Sequence, residues 1–190
     1  MDDKKRGEVI SLTGAGGKTS LIAALVNTYR ANGSRVAVTT TTHMQHPLRM
    51  REEGCDPGWI FAEARDTDTA AKDVPCLITG VTEYRKIKRE DGSGCEEEIP
   101  WKISSPGGEK IRALKEQFDV VLIEADGSAK FPVKAYRSHE PAADPDSDTT
   151  IVILGLSGLG QRIRDVCFAK EKVCEYLDKK EDEHLTEEDY

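Results

Sequence analysis

VISLTGAGGKTSLIAALV, residues 9–26, passes from an apolar, β-branched run through three glycines and a lysine into an apolar segment of helical period. The run EVISLT, 8–13, reads as a buried strand. In KTSLIAALVNTYRANG, 18–33, Leu21, Leu25 and Tyr29 fall on one helical face with Ile22 and Val26 beside them, and Asn32-Gly33 stops the helix. A turn that leaves a buried strand and enters a helix presents several backbone N–H groups with no partner, together with the positive end of the helix dipole. Glycines let that backbone close around a phosphate. Lys18 adds a point charge that can reach terminal phosphates, and Thr19 adds a hydroxyl suited to Mg²⁺.

The spacing is shorter than Gly, four residues, Gly-Lys-Ser/Thr, which would need a glycine where this chain has Leu12. The loop Gly14-Ala15-Gly16-Gly17-Lys18-Thr19, with Ser20 after it, is similar to the TGxxGKT loops of the amino-acid ligases that build peptidoglycan precursors. It points to a bound nucleotide and leaves ATP and GTP both open.

RVAVTTTT, 35–42, is a second strand of the fully buried type, which a parallel sheet covered on both faces requires. The expectation is therefore an α/β domain of three layers, P-loop NTPase-like, with a mostly parallel sheet and the site at the C-terminal edge of its strands. PCLITGV, 75–81, reads as a further strand, and EYRKIKREDGSGCEEEIPWKIS, 83–104, as a polar β-hairpin excursion turning at Asp91-Gly92-Ser93-Gly94. HMQHPLRMREEG, 43–54, suggests a short helix broken at Pro47, TDTAAKDV, 67–74, a weak helix, and SPGGEKIRALKEQ, 105–117, a firmer one. FDVVLIEADG, 118–127, is the most convincing strand, and TTIVILGLSGLG, 149–160, supplies another that ends in glycines. The tail KEKVCEYLDKKEDEHLTEEDY, 170–190, has helical charge content, and its acidic end reads as a solvated or frayed terminus.

At 190 residues the chain suits one domain, taken as 1–190, and its net charge of −8 disfavours nucleic acid and anionic membrane as partners. No apolar run approaches the roughly 20 residues that span a bilayer, and the start MDDKKRGE has no hydrophobic core for secretion, so a cytoplasmic protein is expected. Five cysteines without a CxxC spacing argue against a disulfide framework and a zinc site.

A phosphate loop needs a metal partner, typically a carboxylate at the end of a neighbouring buried strand. Glu124 and Asp126 follow the hydrophobic run of FDVVLIEADG. Glu124 is the candidate metal ligand or water-orienter and Asp126 the second carboxylate; the alternative is that both only cap a strand-to-loop turn. VTTTTHM, 38–44, brings Thr41 to the same edge as a candidate metal or phosphate contact and His43 as a candidate proton carrier. The catalytic set is then Lys18, Glu124, Asp126 and His43, and the metal set Thr19, Glu124 and Thr41.

ISLTGAGGKTSLI, VTTTTHM, VVLIEADGSAKFPVKAYRSHEP and ILGLSGLG together resemble the YqeC family, above all EADGSAKFPVKA followed by HEP. That resemblance implies a nucleotide-binding protein that supports selenium cofactor insertion, or maturation of molybdenum hydroxylases that carry a labile selenium. It implies the nucleotide and Mg²⁺ as ligands, with a selenium- or molybdopterin-related small molecule and a partner hydroxylase as further partners. It also marks Lys130, Lys134 and His139 as substrate or phosphate contacts, although read from the residues alone the two lysines equally serve to neutralise the acids before them. Two roles stay open: an enzyme that hydrolyses the nucleotide or transfers its phosphoryl group to activate a small molecule, and a nucleotide-gated factor that delivers cofactor to the hydroxylase. A selenium-carrying thiol is a third idea, with Cys55 in EEGCDPG as its candidate; the acids around it raise its pKa and make it a poor thiolate. Family members usually continue beyond the LTEED segment, often into an Asn-Lys-x-Asp-like segment that reads guanine. The sequence here contains none, so two readings stay open, a truncated chain or a short family member, and the base stays undecided.

Overall fold

A computed structural model describes residues 7–54, 58–70, 74–89 and 95–190. The strand that opens the chain is β1, Glu8–Gly14, and the helix that follows is α1, Lys18–Ala31. β2, Val36–Thr40, is followed by a short β3, His43–Gln45, and by α2, Pro47–Glu52. Next come β4, Ile60–Glu63, α3, Thr67–Ala70, and β5, Cys76–Lys88. β6, Glu96–Ser104, α4, Gly108–Gln117, and β7, Val120–Glu124, complete the middle. The C-terminal part holds β8, Val133–Lys134, β9, Thr149–Ile153, α5, Ile163–Val166, β10, Cys167–Phe168, and α6, Lys170–Leu177.

Six strands run parallel in the order β4-β5-β2-β7-β1-β9. β1, β2 and β7 sit in the middle as continuous apolar runs because both their faces are covered. Alternation along β1 sends Ile10 and Leu12 to the face that packs on Ile22 and Val26 of α1, and Val9 to the opposite face. There Val121 and Ile123 of β7 meet Ile111 and Leu114 of α4. The mostly parallel sheet with helices on both faces is the α/β arrangement that the sequence predicts.

The predicted polar hairpin is present, but its first arm is not a separate strand. β5 runs unbroken from the parallel sheet into the ladder with β6, its buried half ending at Gly80 and its polar half pairing antiparallel from Val81 to Lys88. A Cβ on Gly80 would stand 2.8 Å from the Ser104 carbonyl, so glycine permits the close approach of β6 at the crossing. The turn expected at Asp91–Gly94 lies outside the described residues, as does Cys55.

Two expectations need correction. Pro47 does not break a helix; it starts α2, with His46 as the cap whose Nδ1 accepts from the Leu48 N–H at 3.2 Å. Proline fits the first helical position because its missing donor is an orphan there in any case. Residues 43–45, read as the start of that helix, instead pair with β6 as β3. The acidic terminus is not frayed either. Leu185 is 2% exposed in a small core with Val133, Ala135, Ile163, Cys167 and Val173, and the Tyr190 hydroxyl donates to the Gly155 carbonyl at 3.1 Å. Thr186 and Asp189 close a capping box beneath it. Among the described residues no helix is long and apolar enough to cross a membrane.

Candidate functional site

The glycine loop joins β1 to α1 at the C-terminal edge of the sheet. Gly14, Gly16 and Gly17 all have positive φ, at 91°, 81° and 123°. At Gly14 a Cβ would lie 2.1 Å from the Ile153 carbonyl and at Gly16 2.4 Å from the Gly155 Cα, so backbone geometry and packing against the β9 end both exclude a side chain. Gly17 differs: a Cβ there would meet nothing within 4 Å. Its positive φ therefore shapes a turn that faces open space at the head of α1. That helix starts without a side-chain cap and without an acid in its first turn, which leaves its first N–H groups and its dipole available to an anion. Ala15 is buried, and its N–H is taken by the Ile153 carbonyl at 2.8 Å.

Behind this loop lies a buried ionic chain. Asp126 is fully buried and its Oδ2 accepts from the Thr13 hydroxyl at 2.7 Å, from the Gly14 N–H at 3.3 Å and from the Lys134 ammonium at 3.2 Å. Because Thr13 gives its proton to Asp126, the Tyr136 hydroxyl, 2.9 Å away, donates to Thr13. Lys18, 4% exposed, lies back against the loop, donating to the Gly14 carbonyl with its ammonium 3.3 Å from Asp126 Oδ1. That Oδ1 has no hydrogen bond of its own. Lys134 continues the chain to Glu140 at 3.0 Å and lies over the rings of Tyr136 and Phe168. Two lysines against two carboxylates balance formally, which is what such deep burial of charge demands.

Glu124 stands apart from that chain. It ends β7, is 7% exposed, and its Oε2 accepts from the Thr19 hydroxyl at 3.2 Å. Burial pushes its carboxyl up to about 7, against the opposing pull of the Lys18 charge and the Thr19 hydrogen bond. The pairing of Thr19 with an acid on the adjacent strand unites two of the three expected metal ligands, Thr41 being the one left out. Among the described residues no three His, Cys, Asp or Glu side chains cluster as a metal site, so an ion here would complete its sphere with phosphate oxygens and water, as Mg²⁺ usually does.

Loop and carboxylate open into a cleft of about 400 Å³. Gly16 to Ser20 and Glu124 form its floor, the 127–131 segment one side, and β3, β6 and α2 the far wall. Ala129 and Lys130 in that side segment both hold positive φ, 48° and 67°, a strain of the kind that gathers at functional loops. Lys130 reaches Glu53 across the cleft mouth at 3.1 Å, and His43, half-exposed at the rim, meets Glu83 at 3.0 Å. Thr41, Lys134 and His139 do not line the cleft. Thr41 donates to the Ala125 and Ala142 carbonyls, Lys134 serves the buried chain, and His139 is exposed. Thr13, Tyr136 and Glu140 went unnoticed in the sequence, although Tyr136 and Glu140 lie inside the stretch that carried the family resemblance; nothing short of the fold reveals that Thr13 touches Asp126. Cys76 and Cys167 are buried thiols whose pKa burial pushes to about 12 and about 11, so neither is a thiolate at neutral pH.

The YqeC protein family matches residues 10–171, from β1 into the start of α6. The chain belongs to the YqeC family. It is 35% identical over 163 residues to a protein of Escherichia coli (strain K12) described as "Uncharacterized protein YqeC", a match that covers 84% of this chain and 56% of that protein. The chain thus spans just over half the length of this curated YqeC relative. No solved structure matches it significantly.

Proposed function

We propose that this YqeC chain is a P-loop-type protein that binds a nucleoside triphosphate, ATP or GTP, with Mg²⁺ on the loop Gly14–Ser20 and hydrolyses or transfers its terminal phosphoryl group. The observation that carries the reading is the Thr19–Glu124 pair beside the uncapped, open head of α1. The N–H groups of the first turn receive the phosphate oxygens, a role for which the Gly17 turn leaves space. Lys18 swings from the Gly14 carbonyl to the terminal phosphates, where a cation offsets charge that develops in the transition state. Asp126 keeps its counter-charge during that swing because Lys134 stays in place. Thr19 and Glu124 hold Mg²⁺, which supplies further charge neutralisation on the phosphoryl oxygens. On taking up the ion Glu124 goes over to its carboxylate form, in which it can also orient an attacking water or hydroxyl.

The pathway, support of selenium cofactor insertion or maturation of selenium-dependent molybdenum hydroxylases, rests on the family resemblance alone. A second reading, a nucleotide-gated factor that hands cofactor to a partner hydroxylase, draws on the buried chain Lys18–Asp126–Lys134–Glu140, which links the phosphate loop to the small C-terminal core. An enzyme shows turnover that depends on a small-molecule acceptor; a switch shows slow hydrolysis accelerated by its protein partner.

Calorimetric titration of ATP and of GTP, with and without Mg²⁺, into the wild type and Lys18→Ala tests the first step. Mg²⁺-dependent binding of one nucleotide that Lys18→Ala abolishes is the expected result. A folded wild type that binds neither refutes the proposal for this chain.

A further inference from the structure

Three side chains on the far wall of the cleft lie outside the phosphate loop and the Thr19–Glu124 pair: Arg49 of α2, and Trp101 and Lys102 of β6. The Arg49 guanidinium lies over the Trp101 ring at 5.2 Å, with Arg85 over the same ring at 4.6 Å. Its Nε is buried without a hydrogen-bond acceptor, and its Nη1 pairs with Glu52, a side chain 60% exposed. An exposed pair of that kind contributes little and yields readily to a better anion. Lys102 is exposed and has no ion-pair partner among the described residues. The nearby acid Glu53 is already held by Lys130 at 3.1 Å. Glu83, opposite Lys102 in the β5–β6 register, is met by His43, so Arg49, Arg85 and Lys102 against Glu52 and Glu83 leave an excess of positive charge on this wall, in a chain of net charge −8.

Its position fixes what it can contact. β2 pairs Thr40 with Glu124, and β2 leads within three residues into β3, so the wall built on β3 and β6 stands on the Glu124 side of the loop. That is the side of the metal pair, hence of the terminal phosphate. A group bound at Arg49 and Lys102 is therefore across the cleft from the phosphoryl group being transferred.

We infer that Arg49 and Lys102 form an acceptor subsite for an oxyanion, a phosphate or carboxylate carried by a small molecule, with Trp101 as the positioning residue that holds the Arg49 fork. The inference rests on the nucleotide reading for its reaction but not for its binding. In the reaction an acceptor oxygen attacks the terminal phosphorus, the new P–O bond forms as the bond to the bridging oxygen breaks, and the nucleoside diphosphate leaves with that electron pair. Where the attacking oxygen is a hydroxyl, its proton passes to water in the open cleft. A forked guanidinium fits either oxyanion through paired hydrogen bonds.

The test uses the two indole N–H signals of the ¹⁵N-labelled protein, Trp101 as reporter and Trp59, 1% exposed in the core, as internal reference, assigned with Trp101→Phe. Inorganic phosphate and acetate are titrated separately, and the stronger shift names the class of oxyanion. We expect a saturable Trp101 shift in the wild type and in Lys18→Ala, with Trp59 still. In Arg49→Ala/Lys102→Ala the apparent affinity falls about tenfold or more, as loss of charged hydrogen bonds predicts, and Arg49→Lys lies between. Mg²⁺-nucleotide affinity in the double variant stays within about threefold of wild type, because neither side chain belongs to the phosphate loop or to the Thr19–Glu124 pair. A Trp101 signal that neither probe moves, a shift that survives the double variant, or one lost in Lys18→Ala because the anion occupies only the phosphate loop, each overturns the subsite. Nucleotide binding without an effect of either probe refutes the subsite alone, whereas a probe-induced shift without nucleotide binding refutes the nucleotide reading alone.

Discussion

Asp126→Asn tests whether the buried ionic chain is what holds the phosphate loop in shape. Asparagine keeps the side-chain shape and its amide oxygen can still accept from Thr13 and Gly14, while its NH₂ takes the place of the Oδ1 that faces Lys18, so the change removes the counter-charge on the Lys18 side. It leaves Lys18, 4% exposed, with the Gly14 carbonyl, and Lys134 with Glu140 and the Gly127 carbonyl. Removal of one member of a buried ion pair costs about 3–5 kcal/mol, and because Glu140 still serves Lys134 the lower end, about 3 kcal/mol, applies here. With a urea slope of about 2 kcal/mol/M, the unfolding midpoint falls by about 1.5 M. Lys134→Met, which strands Asp126 and Glu140 in turn, is expected to cost a similar amount. In the double variant the losses must not add: neighbours in one network couple by about 1–3 kcal/mol. Urea unfolding followed by circular dichroism at constant slope supplies all four corners of the cycle. Additive losses, or a cost below about 1 kcal/mol for Asp126→Asn, would refute the reasoning that the two lysines share one buried carboxylate.

The folded pKa of Glu124, about 7, lies above its ordinary 4.5, so the fold favours the protonated acid. Its contribution to stability is full below pH 4.5 and is lost as pH rises through 7; thermal unfolding of Glu124→Gln should therefore show a flatter pH profile over that window and a higher midpoint than wild type at pH 8. Since a metal takes the carboxylate form, Mg²⁺-nucleotide binding near pH 6 should release a proton, seen as a buffer-dependent calorimetric heat that Glu124→Gln abolishes. Gly17→Ala should cost about 1–3 kcal/mol of backbone strain, leave a folded protein and weaken nucleotide binding; Gly14→Ala, whose Cβ meets the Ile153 carbonyl, should fail to fold stably in the same soluble-expression and melting assay. Leu185→Ala should lower stability by about 2–4 kcal/mol by urea unfolding, a loss that a solvated tail would not show.

The parts of the fold legible in the sequence are those in which local pattern and tertiary role agree. β1, α1, β2 and β7 each carry their period in consecutive residues, and the glycines between β1 and α1 are required by φ values that the chain itself imposes. Where pairing partners are distant the sequence is mute. Residues 43–45 are a strand only because β6 arrives some sixty residues later to pair with them, and the acidic tail is ordered because Leu185 and Tyr190 find the 155–173 region. Composition had suggested solvent there, since Leu185 and Tyr190 are outnumbered by the acids around them.

The site divides along the same line. Gly14 to Thr19, Glu124 and Asp126 belong to motifs at strand ends, and the sheet brings all of them to one edge, as a parallel arrangement must. The roles of individual side chains do not follow from that placement. Lys134 is eight residues from Asp126 and pairs with it, the neutralising role that its sequence position left open, whereas Lys130, four residues closer, crosses the cleft to Glu53. A reversal at Ser128–Phe131 separates the two, with Ala129 and Lys130 held at positive φ. Strain at that turn thus assigns one lysine to the core and one to the cleft, and Arg49 and Lys102 could be read as cleft residues only once β3 and β6 had been seen to build its wall.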